Sequence, residues 1–220
     1  MKRALALLAA LSSAALAADH PEITAQGFSP DGRYHLLLTS WLQDGSGFPA
    51  AALQITDVKR NTIAYRRQQI WQQDGANQAT LDTLVGRWRS AQAGVLARYG
   101  LSEPQPGERL FKVAPLPMLD YPSDQPSALN TAVGRLELST RPLPSGCQYS
   151  DRPTRGFALT LAGRDLQRDT HLPASRGCAS GYSLETAYRY KSALAVIVRV
   201  YSQGFEGPDV VPLVVTGQLK

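Results

Sequence analysis

Residues Ala193–Tyr201 constrain this chain more than any other segment. They read Ala-Leu-Ala-Val-Ile-Val-Arg-Val-Tyr, with no polar face and Arg199 as the one charged member. In an extended strand successive side chains point to opposite faces. A run apolar on both faces therefore needs cover on both sides, which makes it a central strand. Its neighbours agree. Tyr182, Leu184, Thr186, Tyr188 and Tyr190 alternate with Ser183, Glu185, Ala187, Arg189 and Lys191. Lys191-Ser192 is a short turn, and Val210–Thr216 supplies a last strand after the loop Gln203–Asp209. The C-terminal quarter thus predicts an antiparallel sheet.

The N-terminal part predicts a second group of strands. Phe28-Ser-Pro-Asp-Gly-Arg-Tyr34 holds Pro30, which sets φ for a turn, and Asp31-Gly32, which supplies a positive-φ position. Period-two alternation follows to Leu42, then over Ala51–Val58, then over Ile63–Trp71, with short turns between. Short links imply an antiparallel meander. After Asp74-Gly75 the period changes. Leu81, Leu84, Val85, Trp88, Val95, Leu96 and Tyr99 share one helical face, so one long amphipathic helix is expected over 77–99. Asn77 or Thr80 would cap it, Gly100 would end it, and Trp88 would press on a sheet. The proline-rich stretch from Ser102 to Pro144 offers short extended pieces near Arg109–Val113 and Val133–Thr140, and Phe157–Ala162 reads as a further strand.

The first 17 residues read as an export signal. Lys2 and Arg3 precede an Ala/Leu run, and Ala15-Leu16-Ala17 fits a small-x-small cleavage rule. The run is shorter than the roughly 20 residues that span a bilayer, and no later segment is long and apolar enough, so no transmembrane segment is expected after cleavage. Residues 18–220 are expected to form one secreted or periplasmic domain. Of 23 basic residues the signal holds two, which leaves 21 against 18 acidic ones, a net of +3. The basic residues are scattered, which argues against a nucleic-acid partner. Export also gives meaning to the two cysteines. Cys147 and Cys178 are the only pair, and an oxidising compartment favours their disulfide, closing segment 147–178.

Catalytic signatures are missing. There is no His-Glu-x-x-His, no phosphate-binding glycine loop and no Gly-x-Ser-x-Gly elbow. The three histidines, His20, His35 and His171, are far apart, so neither a metal site nor a cofactor is expected. Two glycine loops stand out instead. Asp44-Gly-Ser-Gly-Phe-Pro49 offers Asp44, Ser46 and Phe48 as binding candidates on permissive backbone. Gly204-Phe-Glu-Gly-Pro-Asp209 offers Phe205 and Glu206 for binding, and Glu206 with Asp209 as a carboxylate pair for acid/base chemistry. Asp44 is the third catalytic candidate. Glu206 has no adjacent cation, so Arg176, beside Cys178, is expected to approach it and joins the binding candidates.

Asp44-Gly-Ser-Gly-Phe-Pro49, Ser175-Arg-Gly-Cys178 and Gly204-Phe-Glu-Gly-Pro-Asp209, in this order after a signal and a Phe-Ser-Pro-Asp-Gly turn, resemble a bacterial family of predicted secreted proteins of uncharacterised function. The resemblance covers nearly all of the chain after the signal and implies no reaction, ligand or catalytic residue. Phe28-Ser-Pro-Asp-Gly32 alone is similar to the repeat turn of secreted β-propellers, which implies a partial propeller-like sheet. It occurs once and the helix breaks any repeat, so a closed propeller is not expected. The expected fold is α+β, mainly antiparallel. Two functions fit: an exported, non-catalytic binding module for an unidentified envelope ligand or protein, or a small exported hydrolase using the loop carboxylates. The discriminating observation is whether the two glycine loops lie at the same end of the fold.

Overall fold

The structure, a computed structural model, describes residues 18–117, 120–148, 150–204 and 207–219. The signal expected over 1–17, together with Phe205 and Glu206, lies outside the described residues. In chain order the elements are β1 (Glu22–Phe28), β2 (Tyr34–Leu42), β3 (Pro49–Asp57), β4 (Thr62–Ile70), α1 (Gln78–Ala91), α2 (Ala93–Arg98), β5 (Glu108–Lys112), β6 (Ser127–Thr131), β7 (Gly134–Pro142), β8 (Arg155–Leu161), β9 (Arg164–Arg168), β10 (Ala179–Tyr190), β11 (Ala193–Gln203) and β12 (Pro208–Gln218). A 3-10 turn at Ala174–Arg176 precedes β10.

Among the described residues the strands form three four-stranded sheets, ordered β1-β2-β3-β4, β12-β11-β10-β5 and β6-β7-β8-β9, and none of these closes on itself. Every paired neighbour is antiparallel. Alternation explains how they stack. On β2, Leu36 and Leu38 face α1 with Leu53, Ile55, Leu81, Val85 and Trp88. Leu37, on the other face, packs with Ala195, Ile197 and Val214 of the second sheet. Val196 and Val198 turn the opposite way, onto Leu136, Leu138 and Leu159 of the third sheet. The layers therefore run helices, first sheet, second sheet, third sheet. β11 lies between β10 and β12 and is covered on both faces, as its apolar run demands. Ile197 is fully buried, and truncation to Ala would cost about 2–5 kcal/mol.

One long helix over 77–99 is a misreading: there are two short ones. Asn77 caps α1, its side chain accepting the Thr80 N–H at 3.0 Å. The helix then breaks at Gln92, whose N–H is shared between the carbonyls of Trp88 and Arg89. Gln92 is buried and accepts a hydrogen bond from the Tyr65 hydroxyl at 3.3 Å. A polar side chain drawn inward for its partner, followed by helix-weakening Gly94, accounts for the interruption. Gly100 ends α2 at φ 66°, with Leu101 N–H returning to the Leu96 carbonyl and Gly100 N–H to that of Ala97, a Schellman closure.

Asn61 ties the layers together. At φ 51° in the β3–β4 turn, its Oδ1 accepts the Thr216 N–H of β12 at 2.9 Å, and its Nδ2 donates to Gln167 of β9 at 2.8 Å. One turn residue thereby contacts all three sheets. Cys147 and Cys178 are joined, with Cα atoms 5.1 Å apart.

Candidate functional site

The two glycine loops lie at the same end of the fold, and a residue from the start of the described chain bridges them. The Asp44 N–H donates to Asp19 Oδ1 at 2.9 Å, and the Asp19 N–H donates to Asp209 Oδ1 at 2.8 Å. The Val210 N–H closes the link onto the Asp19 carbonyl at 2.9 Å. The first loop is largely self-satisfied. Gly45 and Gly47 sit at φ 75° and 67°, Asp44 Oδ1 accepts the Gly45 N–H, and Ser46 Oγ accepts the Phe48 N–H. Ser46 is exposed and Phe48 half-buried. In the second loop a Cβ on Gly204 would lie 2.5 Å from the Gly207 carbonyl oxygen and 2.9 Å from Asp209 Oδ1. Glycine is therefore the residue that lets Asp209 turn toward Asp19. Burial pushes the Asp209 carboxyl above its usual range. The Asp19 N–H pulls it back, and the nearby Asp19 and Asp44 carboxylates push it further up.

Beside this bridge opens a cleft of about 340 Å³. Its polar lining includes His20, Glu22, Lys112, Glu185, Arg199 and Tyr201. Its apolar wall is the extended segment 113–117, where Val113 and Leu116 are large exposed apolar side chains. Arg199, the single charge on the apolar strand β11, accounts for itself here. Its Nη1 donates to the Pro21 carbonyl and its Nη2 to Glu185 Oε1, both at 2.9 Å. Glu185 Oε2 approaches Arg199 Nε to 2.6 Å as an ion pair outside hydrogen-bond geometry, so that oxygen has no hydrogen bond of its own. The Tyr201 hydroxyl meets Ser183 Oγ at 3.1 Å, and burial raises its pKa. His20 presents a buried Nε2 with no hydrogen-bond partner. Burial is the largest influence on its pKa and lowers it, against the upward pull of Asp209. The imidazole is therefore neutral at neutral pH, able to donate or accept one hydrogen bond.

Arg176, His35 and His171 do not line this cleft. Arg176 donates from Nη1 and Nη2 to Asp169 at 2.7 and 2.8 Å, and from Nη1 to the Tyr182 hydroxyl at 3.0 Å. Its guanidinium stands 5.2 Å from the Phe157 ring centre. Asp169 is thus a partner of Arg176, while Glu206, the partner expected from the sequence, lies outside the described residues. Burial opposes the Asp169 charge most. Arg176, the Phe157 N–H and Gln167 together outweigh it and hold the carboxyl below its usual range. His35 is fully buried on β2, its Nε2 3.1 Å from Gln26 Oε1, and burial pushes its pKa down to about 3. His171 is exposed beside Thr170. The histidines therefore do not converge. Sequence reasoning missed the cleft because His20 reads as a loose N-terminal residue; the available signal was a lone Arg in an otherwise apolar central strand.

The sequence profile of a family described as Predicted secreted protein (DUF2259) matches residues 37–218. No curated protein and no solved structure matches the chain. No helix among the described residues is long and apolar enough to cross a membrane.

Proposed function

The chain belongs to this family of predicted secreted proteins, and we propose that it serves the cell envelope as a non-catalytic binding module, with its ligand seated in the cleft beside Asp19. One observation carries the reading: both glycine loops are hydrogen-bonded to Asp19, and the next residue, His20, lines the cleft. Loops held by hydrogen bonds at the rim of a preformed cleft are what a binding site uses to limit the entropy lost on association. The lining balances Lys112 and Arg199 against Glu22 and Glu185 around a neutral His20, beside an apolar wall. That chemistry suits an amphipathic, overall uncharged ligand.

The test is capture from envelope extract by immobilised protein, compared with His20→Ala and Lys112→Gln. Loss of capture at unchanged melting temperature supports the reading. Capture undiminished in both variants sinks it, and chemical turnover of the captured ligand overturns the non-catalytic part.

The hydrolase reading draws on Asp209, whose raised carboxyl is the direction a general acid needs. Against it, Asp209 Oδ1 already accepts the Asp19 N–H and Asp44 Oδ1 accepts that of Gly45, so both carboxylates hold loop backbone.

A further inference from the structure

The end of the strands opposite the glycine loops carries the molecule's excess charge. β11 alone spans eleven residues, roughly 35 Å between the two ends. At the far end, turns from all three sheets come together around two adjoining clefts of about 630 and 330 Å³, which share Ser192. Arg33, Lys59, Arg60, Arg164, Arg189 and Lys191 line them. Three carboxylates answer. Asp57 pairs with Arg60 and Glu108 with Arg189. Asp31 serves its own turn, accepting from the Ser29 hydroxyl and the Arg33 N–H. Six cations against three carboxylates leave +3, which equals the net charge of residues 18–220 (21 basic, 18 acidic), so the rest of the chain sums to zero.

Arg33, Lys59, Arg164 and Lys191 are exposed and make no ion pair among the described residues. Two of these side chains are held by hydrogen bonds to backbone carbonyls. Lys191 sits at φ 53° in the β10–β11 turn and donates to the Pro30 carbonyl at 2.6 Å. Arg164 opens β9 and donates to the Gln218 carbonyl. These cations are spread across the turn tips of three stacked sheets rather than gathered on one point, so a single extended surface can meet them together.

We propose that this turn end is a docking face for an anionic phospholipid surface, with the ligand cleft at the opposite end turned away from the bilayer. Charge complementarity carries the choice. No large apolar side chain that is exposed belongs to these turns, except that Ile63 follows the β3–β4 turn, so the attachment is electrostatic, peripheral and reversible by salt.

The experiment is vesicle co-sedimentation of the protein purified after export. One set of vesicles mixes phosphatidylglycerol with phosphatidylcholine, and the other is phosphatidylcholine alone. The proposal expects binding to the first set only, released by rising salt. It expects binding on the order of 100-fold weaker for Lys59→Gln/Arg164→Gln/Lys191→Gln. A control that removes three cations elsewhere, Arg66→Gln/Arg67→Gln/Arg87→Gln, keeps native binding. Should the first triple variant fail to fold by circular dichroism, its three single variants, each weaker by about fivefold, carry the same test. No binding to anionic vesicles, equal binding to both sets, or equal loss in the control overturns the proposal. Retention on a sulfated polysaccharide without vesicle binding also overturns it, in favour of a soluble polyanion.

Discussion

Asp19 gives its backbone N–H to Oδ1 of Asp209 across 2.8 Å, although 190 positions separate them in the chain. The bond fastens the start of the described chain to β12, while the Asp19 carboxylate receives the Asp44 N–H from the other loop. Two aspartates and a third, Asp44, are thus brought together by backbone hydrogen bonds rather than by cations, and burial first, with the Asp19 and Asp44 carboxylates adding to it, raises the Asp209 carboxyl.

Asp209→Asn is expected to hold or raise the melting temperature at neutral pH, because the amide oxygen still accepts the Asp19 N–H without a half-buried charge. A carboxyl whose folded pKa is raised contributes its stability at low pH and loses it as pH rises through the folded value. The variant's advantage should therefore appear only above about pH 4. Thermal unfolding across the acid-to-neutral range checks this, and a variant that melts lower at neutral pH would assign a structural role to the charge.

Acid sensitivity should come from His35. It is fully buried, and its pKa falls from 6.5 to about 3. A lowered folded pKa means that the unfolded chain binds the proton first, so the contribution is complete above pH 6.5 and is lost as pH falls toward about 3. The full loss is of order 5 kcal/mol at most. His35→Phe should flatten the acid side of the stability curve; an unchanged slope would show that other groups set it.

Asn61→Ala should destabilise by about 2–3 kcal/mol, since it leaves the Thr216 N–H without its acceptor and puts a Cβ-bearing residue without local hydrogen bonds at positive φ. Asn61→Gly keeps the backbone free and should lose about 1–2 kcal/mol, isolating the side-chain bonds. Denaturant midpoints for both variants separate the two effects, and equal losses would place the whole cost in the hydrogen bonds.

Arg176→Met should lower stability by about 3 kcal/mol, because Asp169 is left as a nearly buried charge, its side chain 2% exposed. Adding Asp169→Leu in the same chain should recover part of that. A single variant as stable as the native protein would contradict the ion pair.

Cys147→Ser/Cys178→Ser should cost about 3–4 kcal/mol through the segment of 31 positions that the disulfide closes. In native, unreduced protein neither thiol should take up an alkylating label.

Much of this fold was legible as local period. Local pattern marked β2, β3, β7, β8, β10, β11 and β12, whose buried residues show as a period of two or as a run apolar on both faces, and it marked β4, which has no buried residue, by its own alternation between two turn signals. β1, β6 and β9 were unreadable for the complementary reason. Each is a short outer strand of its sheet, seven residues in β1 and five in β6 and β9, too short to display a period, and its pairing is specified by its neighbour rather than by its own pattern. The break at Gln92 was hidden because its partner, Tyr65, lies 27 positions away.

By itself the sequence determined that β11 must be a covered central strand, that two cysteines have one pairing, and that two glycine loops carry unusual side chains. Only the tertiary structure decided that those loops share an end, that Arg176 belongs to Asp169, that Arg199 and His20 line one cleft, and that scattered cations gather at the opposite turns. The physical reason is range. Periodicity and turn chemistry act between residues a few positions apart, whereas Asp19 with Asp209, or Asn61 with Thr216 and Gln167, meet only after three sheets have stacked.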